Sequence, residues 1–397
     1  METPSCFSSD ISPNHDLSWK NHNFISFSTR SGAIAHLPPI RKTPILYLLP
    51  LQVGYMKCPV CGDDCVSDAF DIINTMETIF SPCPRCRGRH LDKKSPPPDY
   101  VPPDTCSCGK RFIDDVYAVM YRIGVEEGDL TGTEPLKEVG TPLIHPGFVM
   151  HEAPYLPRHS LVLLTDQFSR KTAERIITEV PEVRGVIQDN HIVPGITDPD
   201  SDEPPLTHTL LAGCDVRANI FSTQVGPIVI YKQSSMMHIE FPRPVNPKII
   251  SVDRKIFSKR PKIFVDACCG AGTLGIVAAR LGVQHLILND AWYAAAFWAA
   301  FNLKVNHAYL GIDDVEIFES YNAMAETQKR SEPRLVATAR GSVSAEVYQG
   351  DFRLLSPYIP EGNVLAVIDL FDKASRDMVE GTINEWKAKN HGDVFIP

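Results

Sequence analysis

A short apolar run, Lys262 to Val265, ends in Asp266, passes through Gly270 and Gly272, and enters an apolar helical pattern at Leu274, Ile276, Val277, Ala278 and Leu281. That order reads as a strand, a tight glycine turn and a helix, and it commits this part of the chain to a layered α/β sheet. Glycine is required because a backbone turning this sharply beside a ligand needs unhindered φ and no Cβ in the way. A second apolar strand, His285 to Leu288, ends in Asn289 and Asp290, 18 residues after Gly272. An acidic side chain at that distance, at the end of the next strand, is placed to accept hydrogen bonds from both ribose hydroxyls of a nucleoside cofactor.

With D-A-C-C-G-A-G-T-L-G at Asp266 to Gly275, L-I-L-N-D ending at Asp290, Y-Q-G-D-F around Asp351 and V-I-D-L-F-D from Val367 to Asp372, the chain resembles the class I S-adenosylmethionine-dependent methyltransferases. The resemblance covers Pro261 to the end of the sequence, about a third of it. It implies that Asp266, Gly270 and Gly272 line the methionine and ribose side of a pocket, that Asp290 holds the ribose, and that Asp351 approaches the adenine. The rival reading is an NAD-binding domain, since Gly270, Gly272 and Gly275 also satisfy G-x-G-x-x-G. An aspartate and two cysteines directly before the loop are unusual for that fingerprint. A purely structural α/β layer is the third reading.

Seven of the 11 cysteines fall between Cys58 and Cys108, mostly in C-x-x-C or C-x-C pairs, which points to metal in a reducing compartment rather than to disulfides. Cys58-Pro-Val-Cys61 and Cys83-Pro-Arg-Cys86 are two knuckles separated by 21 residues, and together they can complete one four-thiolate zinc site. Cys65, Cys106 and Cys108, with His90 nearby, can make a second site; alternatively Cys106-Ser-Cys108 closes the first. An iron–sulfur cluster is the alternative to zinc. Either metal would be structural, folding a module too small for a core of its own.

The sequence has 397 residues, room for two or three domains, and carries a net charge of −9, which argues against a protein that coats nucleic acid through bulk attraction. Lys248, Arg254, Lys255, Lys259, Arg260 and Lys262 form one local basic stretch, read either as a patch for a polyanion or as a solvated linker face. No run of 18 apolar residues occurs, and Pro44 to Val53 is broken by prolines, so no membrane span is expected and a cytoplasmic location is. Residues 1–55 are rich in Ser, Asn, His and Pro without a sustained period and are expected to be disordered or an extension preceding a true start at Met56.

The expected architecture is therefore α/β: a cysteine-rich zinc module over residues 56–125, an α+β domain over 145–255 that could recognise substrate, and a Rossmann-like methyltransferase core over 260–397. Residues 91–105 read as a proline-rich connector and Phe112 to Ile123 as a helix. In the middle, strands are expected at Ser160 to Leu164, Gly185 to Ile187, Thr209 to Leu211, Ile228 to Lys232 and Met237 to Phe241. A helix is expected over Arg170 to Val180, N-capped by Ser169, with an acidic loop at Asp198 to Pro205. His191, His208 and His238 are isolated and read as core or surface residues. This domain order is similar in layout to archaeal tRNA guanine methyltransferases and their wybutosine-pathway relatives, without a substrate motif of theirs.

In the core, Ala291 to Val305 reads as a buried helix. Val315 to Phe318 and Ala345 to Tyr348 compete for the third strand, and Gly350-Asp351-Phe352 favours the second. Val364 to Leu370 is the fourth strand and Asp393 to Ile396 the fifth; the two further antiparallel strands usual in the family are not seen. Ligands in open α/β sheets lie beyond the carboxyl ends of the strands, so Asp369 is expected to orient the methyl acceptor or take its proton, with Asp372 as second choice. The D-L-F-D sequence departs from the Asn/Asp-Pro-Pro-Tyr signature of many amino-methylating members, so the resemblance does not extend to an exocyclic amine target. Cys268 and Cys269 read as small buried hydrophobes. RNA is the favoured substrate, a protein side chain the next, and a non-catalytic zinc-bearing scaffold the third possibility; the oligomeric state is not legible.

Overall fold

The computed structural model describes residues 56–98, 101–195, 203–370 and 375–397; the expectations for residues 1–55, for Asp198 to Asp202 and for Asp372 fall outside them. Seven strands form one sheet in the order Ile312–Ile317, Arg334–Gly341, Ser344–Gln349, His285–Asp290, Ile263–Asp266, Val364–Val367, Asp393–Phe395. From Ser344–Gln349 onward all neighbours are parallel, while Arg334–Gly341 and Ile312–Ile317 are added antiparallel on the far side. Both candidates for the third strand are thus strands, but Ser344–Gln349 is the one that continues the parallel order. Arg334–Gly341, inside what reads as a polar insertion, bridges them.

The parallel strands are near-continuous apolar runs because both faces are covered. Phe264, Leu286, Leu288 and Leu365 pack with helices Thr273–Arg280 and Tyr293–Val305 on one face; Ile263, Val265, Ile287 and Ala366 pack on the other with Trp386 of helix Arg376–Lys389. Helix Tyr293–Val305 is buried at every residue but Lys304, as its apolar circumference predicts. From Ile263–Asp266 the sheet grows outward on one side through the second and third parallel strands, then reverses to Val364–Val367 on the other. In open α/β sheets such a reversal marks the ligand crevice, here expected at the carboxyl ends of Ile263–Asp266 and Val364–Val367.

Upstream, Thr141–Ile144, Leu161–Thr165, Val183–Gln188 and Thr209–Gly213 make a four-stranded sheet covered by helices Ile113–Glu127 and Arg170–Glu179. Ser169 does cap the second helix, its Oγ accepting the Thr172 N–H at 3.4 Å. A separate hairpin, Val216–Thr223 with Gly226–Gln233, packs on helix Tyr293–Val305 and belongs to the core of the seven-stranded sheet.

One expectation is corrected. Met237 to Phe241 is not a strand: the Glu240 carbonyl accepts from the buried Arg217 Nη2 (2.8 Å) and Asn219 Nδ2 (3.3 Å), and Pro242 and Pro244 offer no N–H to a ladder. Most of the basic stretch is a helix, Pro247–Lys259, capped by Asn246 and packed through Ile249, Val252 and Ile256. Its outer face reaches the edge strand, where Lys259 Nζ lies 2.9 Å from Asp393 and Lys255 sits 5.6 Å from the Phe395 ring centre.

Candidate cofactor and metal sites

Loops from several strands converge at the crevice. Asp266 is fully buried at the end of its strand, and its Oδ2 accepts the Gly275 N–H at 3.0 Å, tying the strand to the first turn of the next helix. Gly270, at φ 52°, has open space where a Cβ would stand, whereas at Gly272, φ 82°, a Cβ would lie 3.1 Å from Ala299 Cα. The first glycine leaves the outer side of the loop clear for a ligand, and the second lets the loop lie against helix Tyr293–Val305. Asp290 faces this loop: its Oδ2 accepts the Gly270 N–H and its Oδ1 the Trp292 N–H, both at 3.0 Å. Each carboxylate oxygen can still accept another bond.

Negative charge dominates here. Burial first, then Asp290, Asp266, Asp369 and Asp351 push the Cys268 thiol well up, and burial with Asp290 and Asp266 does the same for Cys269, so neither is an activated nucleophile. Burial and then the nearby Asp369 raise the Asp266 carboxyl to about 8, against the opposing Gly275 N–H. Asp290 is more exposed, and burial raises it only to about 6, offset by the Trp292 and Gly270 N–H groups. Asp266 Oδ1 is buried without a hydrogen-bond partner. Asp351 caps the short turn Phe352–Leu354 and pairs with Arg353 Nη2 at 2.7 Å, while Asp369 follows the fourth parallel strand and pairs with Lys248 Nζ at 2.6 Å.

Around His238 the charged neighbours are mostly cationic. Lys232 Nζ meets Glu240 Oε2 at 2.8 Å inside the fold, and burial lowers the ammonium below its usual range. Burial, and then Lys232, also lower His238, with Lys248 and Arg243 adding to the effect and Glu240 opposing it. Phe241 next to them is 46% exposed.

The seven early cysteines divide differently from the first expectation. Cys83, Cys86, Cys106 and Cys108 form one cluster, and Cys58, Cys61 and Cys65 form another with Cys214; within each, all sulfurs lie within 4.8 Å of one another. The two knuckles therefore do not share an ion. His90 is outside both, its ring edge-on to Phe112. A tetrahedral zinc with Zn–S near 2.3 Å needs sulfurs roughly 3.8 Å apart. Observed separations are 3.7, 3.7 and 3.5 Å in the first cluster, and 3.8 and 3.2 Å in the second. Four thiols at this spacing fit a single ion such as zinc and are too close to bracket a multi-iron cluster.

Three contributors were not singled out from the sequence. Asn289, fully buried, donates to Ala267 O (3.0 Å) and Gly350 O (2.9 Å), pinning the loops after the first and third parallel strands. An amide inside an apolar strand was the available signal. Asn302, also fully buried, donates to Ala271 O at 3.0 Å, and the apolar pattern of its helix hid it. Cys214 carries no local motif at all.

No protein-family profile and no curated protein matches this chain. Among solved structures it is similar to Trm1 from Pyrococcus horikoshii with S-adenosyl-L-methionine, at 20% identity over 45% of this chain and 42% of that one, with a TM-score of 0.28. It thus spans under half the length of that protein. P. horikoshii TYW2 in complex with MeSAdo matches at 14% identity over 69% of this chain and 76% of the other, TM-score 0.33. Trm5b from Pyrococcus abyssi matches at 13% identity over 72% and 82%, TM-score 0.30.

Proposed function

We propose that this chain is an S-adenosylmethionine-dependent methyltransferase acting on RNA. The observation that carries the reading is the sign of the charge at the sheet's reversal point: Asp290, Asp351 and Asp369 around an open glycine loop, the last two paired with Arg353 and Lys248, and Asp266 behind them. The pyrophosphate of a dinucleotide would add negative charge to that ring, whereas an adenosyl sulfonium brings cationic groups that offset it. The open side of Gly270, the remaining lone pairs of Asp290 and the unpartnered buried Asp266 Oδ1 fit such a molecule.

When bound, the cofactor supplies an electrophilic methyl group with its own leaving group. The protein's part is position. Asp290 accepts from the ribose hydroxyls, Asp266 sets the turn into the helix and faces the cationic end, and Asp351 stands on the adenine side. Asp369, oriented by Lys248, aligns the acceptor or takes its proton, with Asp372 as the second candidate. RNA is favoured over a protein side chain because His238, Phe241 and Arg243 are exposed on the segment that leads into helix Pro247–Lys259, whose Lys248 pairs with Asp369. Phosphates and a stacked base are the groups such a surface suits. Zinc in the two cysteine clusters would be structural.

The test is labelled cofactor added to an extract from cells lacking this protein. Label is expected in RNA, and binding of that RNA should weaken steeply with salt. Label in protein alone would replace the substrate reading, and no incorporation with no cofactor binding would leave a scaffold.

A further inference from the structure

The two cysteine clusters differ in reach. Cys83, Cys86, Cys106 and Cys108 close on themselves within one local segment. In the other cluster, Cys58, Cys61 and Cys65 come from the first knuckle, but Cys214 lies 149 residues beyond Cys65, directly before the Val216–Thr223 strand. The geometry points to a thiolate site for one divalent ion that locks the first knuckle to this hairpin and thereby sets the order of the glycine loop.

The path is a chain of short, largely buried contacts. Arg184 joins the two halves of the site: its carbonyl accepts the Cys214 N–H at 2.7 Å, and its Nη2 donates to Cys65 O at 3.0 Å. Just past Cys65, the Ser67 N–H donates to the Tyr231 hydroxyl on the hairpin at 2.9 Å. The Tyr231 backbone then bonds in both directions to the Asn302 side-chain amide, each at 2.7 Å, and Asn306 treats Val229 the same way at 3.0 and 2.6 Å. Asn302 finally donates to Ala271 O, between the two loop glycines. Beside this path, His307 Nδ1 lies 3.1 Å from Asp68, so the segment after the knuckle also rests on the same helical layer. A buried amide that bonds hairpin and loop together transmits a displacement of either, because breaking one bond leaves a buried polar group unpaired. The ion acts through position, whereas the ligands of the other cluster, Cys83, Cys86, Cys106 and Cys108, all come from one stretch of 26 residues.

The test compares Cys214→Ser with Cys108→Ser in the full chain, by zinc content, cobalt(II) thiolate absorption, hydrogen exchange over residues 267–273 and S-adenosylmethionine calorimetry. Wild type is expected to hold two ions and each serine variant one. Only Cys214→Ser should raise exchange in the glycine loop and weaken cofactor binding at least tenfold. Cys214→His, which keeps a ligand atom, should restore both ions and the binding. Two ions retained in Cys214→Ser would overturn the proposal, as would equal loop exchange in the two serine variants. The loop exchange and ion count depend on no cofactor, so a wild type that failed to bind S-adenosylmethionine would refute the functional reading while the lock was still decided.

Discussion

The two ends of the seven-stranded sheet differ in kind. At the amino-terminal end a cleft of about 380 Å³ lies between Ile256, Arg260, Lys262 and Gln284, with Phe257 78% exposed beside it. The carboxyl end gathers four carboxylates, an open glycine loop and a buried carboxylate oxygen without a partner. Space alone does not mark a site. Parallel strands send their connections across the carboxyl end, so chemistry-bearing loops from distant stretches meet only there.

The comparison is broken most directly at Asp290. Asp290→Ala should lower S-adenosylmethionine affinity roughly 10- to 100-fold by calorimetry, the equivalent of losing charge-assisted bonds worth about 1.5–3 kcal/mol. An unchanged affinity would move the cofactor away from the carboxyl end. Gly272→Ala places a Cβ at φ 82°, against Ala299, and should cost about 1–2 kcal/mol in thermal unfolding and weaken cofactor binding too. At Gly270, with open space beside it, the same change should cost less stability.

A smaller effect should follow pH. The Asp266 carboxyl is raised to about 8 in the fold against roughly 3.9 in an unfolded chain. Its contribution to stability is therefore fully present below about pH 4 and lost as pH rises through about 8. The unliganded protein should melt at a higher temperature at pH 6 than at pH 8.5, and Asp266→Asn should flatten that difference. A cationic cofactor shifts the other way, binding better as Asp266 and Asp290 ionise, so calorimetry across the same range should show affinity rising with pH. Smallest of all, Arg260→Ala with Lys262→Ala at the amino-terminal end should leave cofactor affinity unchanged; a tenfold loss there would favour the cleft at that end.

Much of the core was legible locally. The strand, turn and helix from Lys262 to Leu281 were readable because neighbours in sequence define them, and Asp290 follows at the interval a second parallel strand imposes. Ser344–Gln349 could be chosen over Ile312–Ile317 through the Gly-Asp that follows it, although both form strands. Met237 to Phe241 misled because its alternation looks like a strand, while its partners are the side chains of Arg217, Asn219 and Lys232 rather than a ladder.

By itself, the order of residues determined that the C-terminal part is a parallel α/β layer with a glycine loop and an acidic second strand end, and that the early cysteines come in ligand-spaced pairs. These follow from periodicity and spacing within a few turns of chain. Only the tertiary structure decided which cysteines stand together, that Cys214 is one of them, and that Asn302 joins the hairpin to the loop. Such pairings are set by packing between residues far apart in sequence, and a buried thiol or amide shows its partner only once the surrounding core has closed around both.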